Sequence, residues 1–143
     1  MKKMKITVFA LIGLMTKSMV CKANENMVFA ENLPTDAKVF VQKNFPRLSV
    51  AFVEKKAAGQ GSVYEVSLND GTEVVFSPNG AWGMVDCKVE AVPASLMPAP
   101  LSSFVKSQFA GAKVVRLERT NSGYVAALSN GISLKFDHEG QIA

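Results

Sequence analysis

The sequence predicts an α+β fold: two tandem helix-plus-antiparallel-sheet repeats that form one sheet, with the helices on one face. Three observations carry that prediction. A seventeen-residue pattern occurs twice, as YEVSLNDGTEVVFSPNG from residue 64 and as YVAALSNGISLKFDHEG from residue 124. An apolar stripe at helical spacing follows Pro34 and recurs, at an offset of 64, after Pro98. Short alternating runs broken by Asp-Gly or Asn-Gly come after each stripe, the pattern of antiparallel hairpins.

Residues 1–23 stand apart from the fold. MKKMK is basic, ITVFALIGLM is an apolar run too short to span a bilayer as a helix, and Cys21-Lys22-Ala23 offers small residues where a signal peptidase reads. A signal peptide cleaved before Asn24 is therefore expected, which places the chain in the periplasm or outside the cell with no transmembrane segment after cleavage. The minority alternative is a lipid anchor on Cys21, although Ser18-Met19-Val20 fits the lipidation pattern poorly. The full chain of 143 residues carries 16 Lys and Arg against 12 Asp and Glu. Five of those bases (Lys2, Lys3, Lys5, Lys17 and Lys22) and none of the acids lie in the leader, so the remainder is close to neutral, near −1. A nucleic-acid partner loses its electrostatic basis. Removal of Cys21 would also leave Cys87 alone, with no intramolecular disulfide to brace the fold.

The first repeat spans 31–93. Ala37, Phe40, Val41 and Phe45 form one helical stripe, with Pro34 at its start and Pro46 at its end. A first strand around Val50, Val53 and Glu54 follows. Tyr64, Val66 and Leu68 alternate with Glu65 and Ser67, Asp70-Gly71 supplies the turn, and Val74 and Phe76 return. WGMVDCKVEAV, from Trp82 to Val92, reads as a fourth strand. The second, shortened repeat spans 94–143, one compact domain with the first. Leu101, Phe104, Val105 and Phe109 repeat the helix, Val114, Leu117 and Glu118 the first strand, and Tyr124 to Phe136 the hairpin about Asn130-Gly131. A fourth strand is missing or vestigial there.

The run LP…A..F…FP, then YEVSLNDGTEVVF…G.W..VDC, then the second helix and GY…L.NG..L.FD..G, resembles the PepSY-like, β-lactamase-inhibitor-like family of secreted proteins from Bacteroidetes-type bacteria. The resemblance covers about residues 31 to 142. It implies a tandem helix-plus-sheet fold similar to β-lactamase inhibitor protein, which binds its target enzyme with a concave sheet. PepSY domains proper are associated with protease inhibition. Two departures stand out: Ala110 where the first copy has Pro46, and the truncated second sheet.

No constellation for catalysis emerges. His138, the single histidine, sits in the polar turn Asp137-His138-Glu139-Gly140 without a nucleophile or further ligands in the sequence around it. Asp70, Asp137 and Glu139 are oxygen ligands of the kind calcium prefers, but the spacing of a calcium loop is absent. Glu54 and Glu118 are equivalent carboxylates in different halves, too far apart for a glycosidase pair. Cys87 alternates with Val85 and Val89 and reads as a buried small hydrophobe. The expectation is a non-enzyme with no cofactor and no metal site.

What remains is the sheet face away from the helices. Strand parity places Phe52, Val75, Trp82, Met84 and Arg116 on it, beside Glu65, Glu73, Asp86, Glu118 and Lys135. Large apolar groups among charges on a solvent face mark a partner site, and Trp and Arg are the residue types most enriched in binding hot spots. The reading is a secreted protein-binding module, an inhibitor of an envelope or extracellular enzyme in its sharpest form, docking another envelope or secreted protein. Its rival is a small-ligand or calcium-responsive periplasmic sensor. Trp82 and Met84 have a structural alternative as well, as filling for the seam between the repeats.

Overall fold

The structure, a computed structural model, describes residues 27–59 and 61–143. The leader and Cys21 lie outside the described residues. Eight strands form one sheet in sequential order with every neighbour antiparallel: β1 (Met27–Val28), β2 (Val50–Ala58), β3 (Gly61–Leu68), β4 (Glu73–Phe76), β5 (Trp82–Asp86), β6 (Val114–Thr120), β7 (Gly123–Leu128) and β8 (Ser133–Phe136). Helix α1 (Thr35–Asn44) lies between β1 and β2, and helix α2 (Ala99–Gln108) between β5 and β6.

Each helix turns its stripe to the sheet. Ala37 and Val41 of α1, and Leu101 and Val105 of α2, are buried against Val53, Val66, Val74, Phe76, Val85, Leu117, Ala126 and Phe136. Each large side chain so buried contributes roughly 1.5–3 kcal/mol. The aromatic contacts come in a matching pair: Phe40 meets Phe76 edge-on at 5.4 Å between ring centroids, and Phe104 meets Phe136 at 5.8 Å. The caps match as well. Pro34 and Pro98 precede the helices in extended conformation, and Phe45 and Phe109 end them at φ/ψ of −134/58° and −135/57°.

Two glycines set how closely sheet and helices approach. Gly80 (φ +94°) and Gly140 (φ +91°) close turns that tuck beneath the starts of α1 and α2. A Cβ on Gly80 would stand 2.9 Å from Asp36 Cβ, and one on Gly140 would stand 2.6 Å from Pro98 Cβ. Both the left-handed backbone and the lack of room require glycine.

The sequence expectation needs correcting in three places. The fourth strand ends at Asp86 rather than running to Val92. Asp86 Oδ1 accepts the Lys88 N–H at 2.9 Å, Lys88 takes φ +63°, and the chain swings out so that Val89 is 73% exposed. An aspartate bonding the backbone two residues on is a turn device that outcompetes the ladder. The chain stays close to β6 through Cys87 N–H to Val115 O and Val92 N–H to Val114 O, both 2.8 Å. Secondly, β1 was not anticipated; it adds an eighth strand before the first helix. Thirdly, the second fourth strand shrinks to a single bridge, Phe136 to Ile142.

Candidate functional site: the open sheet face

The register builds two rows across the face opposite the helices. One runs Phe52, Ser67, Glu73, Asp86, Arg116, Ala127, Ser133, and the other Glu54, Glu65, Val75, Met84, Glu118, Val125, Lys135. Antiparallel pairing alone puts these side chains on one surface, because alternate residues share a face. Val75 and Met84 are direct cross-strand partners, half-buried, at the centre of the second row, with Glu65 and Glu118 on either side. Phe52 is 45% exposed at the β2 end of the first row, and Arg116 is exposed four strands away beside Asp86.

The charges interleave rather than cluster by sign. Lys56 lies 3.0 Å from Glu65 and 3.7 Å from Glu54, Lys88 lies 3.5 Å from both Glu73 and Asp86, and Arg116 lies 3.9 Å from Glu118. The hydrogen bond to Glu65 holds the Lys56 ammonium pKa above its ordinary value. These exposed pairs contribute little to stability. Their effect is to fix carboxylates around the Val75–Met84 pair. Glu54 and Lys56 belong to this surface by the same parity that places Phe52, and the sequence reading had passed over them.

Trp82 does not lie on this face. Pairing shifts between Val75–Met84 and Phe76–Trp82, so Gly83 is an extra residue, a β-bulge that flips the parity of what precedes it. Trp82 therefore turns to the helix side, where its ring lies 5.9 Å from Phe40 and Arg119 stacks over it at 4.5 Å. The Arg119 guanidinium also donates to the Trp82 carbonyl from Nε, at 2.9 Å, and from Nη2. Trp82 fills the seam between the two helix–sheet halves. The structure brings Val75 and Met84 together, sets Phe52 and Arg116 at the margins, and removes Trp82.

The titratable groups singled out in the sequence have local tasks. Cys87 is buried, and burial, with the charges of Asp70 and Asp86, pushes its thiol up to about 11, leaving almost no thiolate at neutral pH. His138 Nε2 is 2.9 Å from the Asn121 carbonyl. Asp137 Oδ1 accepts the N–H groups of Glu139 and Gln141, at 3.0 and 2.9 Å, and Asp70 Oδ1 that of Thr72 at 2.9 Å. Glu54 and Glu118 are four strands apart, about 19 Å at the usual strand spacing. Among the described residues, no three His, Cys, Asp or Glu side chains converge as a metal site would require. On the helix side, a cleft of about 490 Å³ lies beside the end of α1, lined by Leu33, Val41, Phe45, Leu48 and Val50 with Glu31 and Lys38 on its rim.

A sheet half-covered by helices with its other face open defines a class of small binding scaffolds, and comparison with known proteins assigns the chain within that class. The family described as "Putative beta-lactamase-inhibitor-like, PepSY-like" matches residues 62–143, and the chain belongs to that family. Three solved structures from Bacteroides share the fold. One from Bacteroides vulgatus, described as a "putative periplasmic protein of unknown function", is 32% identical over 80% of this chain and 92% of its own, with a TM-score of 0.77. One from Bacteroides thetaiotaomicron, described as a "putative calcium-regulated periplasmic protein", is 30% identical over 82% and 93%, with a TM-score of 0.78. A second from Bacteroides vulgatus, a "putative periplasmic protein" of the DUF2874 family, is 29% identical over 82% and 92%, with a TM-score of 0.76. A search of curated proteins returned no match. No helix among the described residues is long and apolar enough to cross a membrane.

Proposed function

We propose that this chain is a non-enzymatic periplasmic binding module that docks another envelope or secreted protein through the open sheet face, and that docking blocks an enzyme. One observation carries the reading: the uncovered face presents Phe52, Val75 and Met84 among paired charges, including Arg116, on a rigid sheet. Apolar anchors ringed by charge are the composition of a binding surface. The periplasmic relatives and the amino-terminal leader support the compartment. The lack of thiolate at Cys87 supports a role without covalent catalysis. Capture from envelope extract tests the reading, with Phe52→Ala/Met84→Ala as the paired control. A partner held by the wild type and lost by the folded double variant supports it. A partner held equally by both sinks the assignment to this face.

The cleft beside α1 favours a second reading, a small-ligand sensor. Its volume falls within the range of ligand sites. The calcium-regulated description of the Bacteroides thetaiotaomicron relative gives calcium a place among the ligands to try. A bound ligand raises the melting temperature by mass action. An unchanged melting curve across a panel of small apolar acids and millimolar calcium discards this reading.

A further inference from the structure

The internal seam of the sheet shows how its two outer edges fit each other. At the seam, β5 lies between β4 and β6, with Val75 paired to Met84 and Met84 to Glu118, and with Val74 paired to Val85 and Val85 to Leu117. At one outer edge, β1 pairs Met27 with Glu54 and Val28 with Val53. Glu54 and Val53 precede Glu118 and Leu117 by the same 64 residues that separate the helix caps Pro34 and Pro98. Met27 and Val28 thus occupy the place beside β2 that Met84 and Val85 occupy beside β6, but without a strand on their far side. At the other outer edge, Ser133, Leu134 and Lys135 of β8 follow Glu73, Val74 and Val75 of β4 by 60 residues, and the β8 turn repeats the β4 turn beneath a helix start. There the place of β5 is only begun, by the Phe136–Ile142 bridge and the Ala143 N–H to Lys135 O bond of 3.0 Å.

We propose that copies of this chain associate head to tail, β1 of one copy adding to β8 of the next so that Met27 pairs with Lys135 and Val28 with Leu134. The contact is antiparallel, as β4 and β5 are, and it keeps both helices and both open faces on common sides. It covers exposed apolar groups that flank the two edges: Met27, Phe29, Ile132 and Ile142, which are 40, 73, 39 and 49% exposed. A further correspondence falls on the helix side. Lys55 stands 64 residues before Arg119, and each pairs across its hairpin with a tyrosine, Lys55 with Tyr64 and Arg119 with Tyr124. The Lys55 ammonium of the incoming copy is thereby directed toward the Ile142 carbonyl, as the Arg119 guanidinium is directed toward that of Trp82. An exposed strand edge is a ready template for another strand, and a heterologous contact of this kind does not close on itself as a two-fold dimer does. This inference is independent of the open-face reading, because neither Phe52 nor Met84 takes part.

Cross-linking tests it on the full gene product purified from periplasmic extract, in a Cys21→Ser background; the Cys87 thiol is buried and stays silent. Met27→Cys and Lys135→Cys each alter an exposed side chain, and a melting curve for each confirms folding. Cross-strand partners bring Cβ atoms within disulfide reach. The expected result is a dimer when the two single variants are mixed under mild oxidation, none from either alone, and a ladder of multimers when one chain carries both changes. Self-linking of either single variant to the same extent, or no linking in the mixture, overturns the proposal. Sedimentation of the unsubstituted chain provides a second measure: mass rising with concentration supports the contact, and a strict monomer up to about 1 mM refutes it.

Discussion

Arg119 holds Trp82 twice, by its guanidinium over the indole at 4.5 Å and by donation to the Trp82 carbonyl. Because Arg119 lies on β6 and Trp82 opens β5, the contact ties the two helix–sheet halves together. Trp82→Ala should destabilise the fold by about 3 kcal/mol, and Arg119→Ala by about 1–2 kcal/mol. The two losses should fall short of additivity, since each change removes the same contact. Urea unfolding of the double-mutant cycle measures this; full additivity would show that the pair is not coupled.

Phe52 provides the contrast. Its ring is 45% exposed on the open face, so Phe52→Ala should cost less than about 1 kcal/mol in stability while weakening capture of a partner. A large loss of stability would instead make Phe52 a packing residue.

Gly80→Ala should cost about 2 kcal/mol or more, because a new Cβ meets Asp36 in addition to the left-handed strain. Gly71→Ala, also at positive φ but with nothing within 4 Å, should cost about 1 kcal/mol. Equal melting temperatures for the two variants would show that the approach to α1 carries no strain.

Cys87 links stability to alkaline pH. Its folded pKa of about 11 exceeds the unfolded value near 9.0, so its contribution is complete below pH 9. Above that, the unfolded chain releases its proton first, and about 2 kcal/mol is lost by pH 11. Cys87→Ala should flatten that part of the pH profile, and thiol labelling of the folded wild type at pH 8 should be slow. Rapid labelling without unfolding would contradict the burial.

Asp70 acts at the acid end. The Thr72 N–H lowers its carboxyl pKa, so its contribution is present above the ordinary carboxylate pKa and fades as pH falls through the depressed value. Asn130 makes the matching bond to the Ile132 N–H at 3.0 Å with a neutral amide. Asp70→Asn should therefore keep stability at pH 7 within about 0.5 kcal/mol while removing the acid-side dependence. A larger loss at neutral pH, seen in thermal melts, would mean the negative charge itself is needed.

The α+β class, the stripes behind Pro34 and Pro98, and the hairpins at Asp70-Gly71 and Asn130-Gly131 were legible in the sequence because each rests on local chemistry: periodicity, helix entry and turn geometry. Most of the open face was legible for the same reason, since parity along a regular strand suffices for Phe52, Val75, Met84 and Arg116. Trp82 was misplaced because a β-bulge is a property of two strands: Gly83 counts as an extra residue only once β5 is paired with β4. The end of β5 at Asp86 and the addition of Met27–Val28 as β1 likewise depend on competition between backbone partners far apart in the chain. The sequence by itself determined which segments are helices and hairpins and which residue types they bury. Tertiary pairing alone decided register, and with it which side of the sheet each side chain at the seam and edges occupies, because a one-residue shift in pairing reverses every side chain it touches.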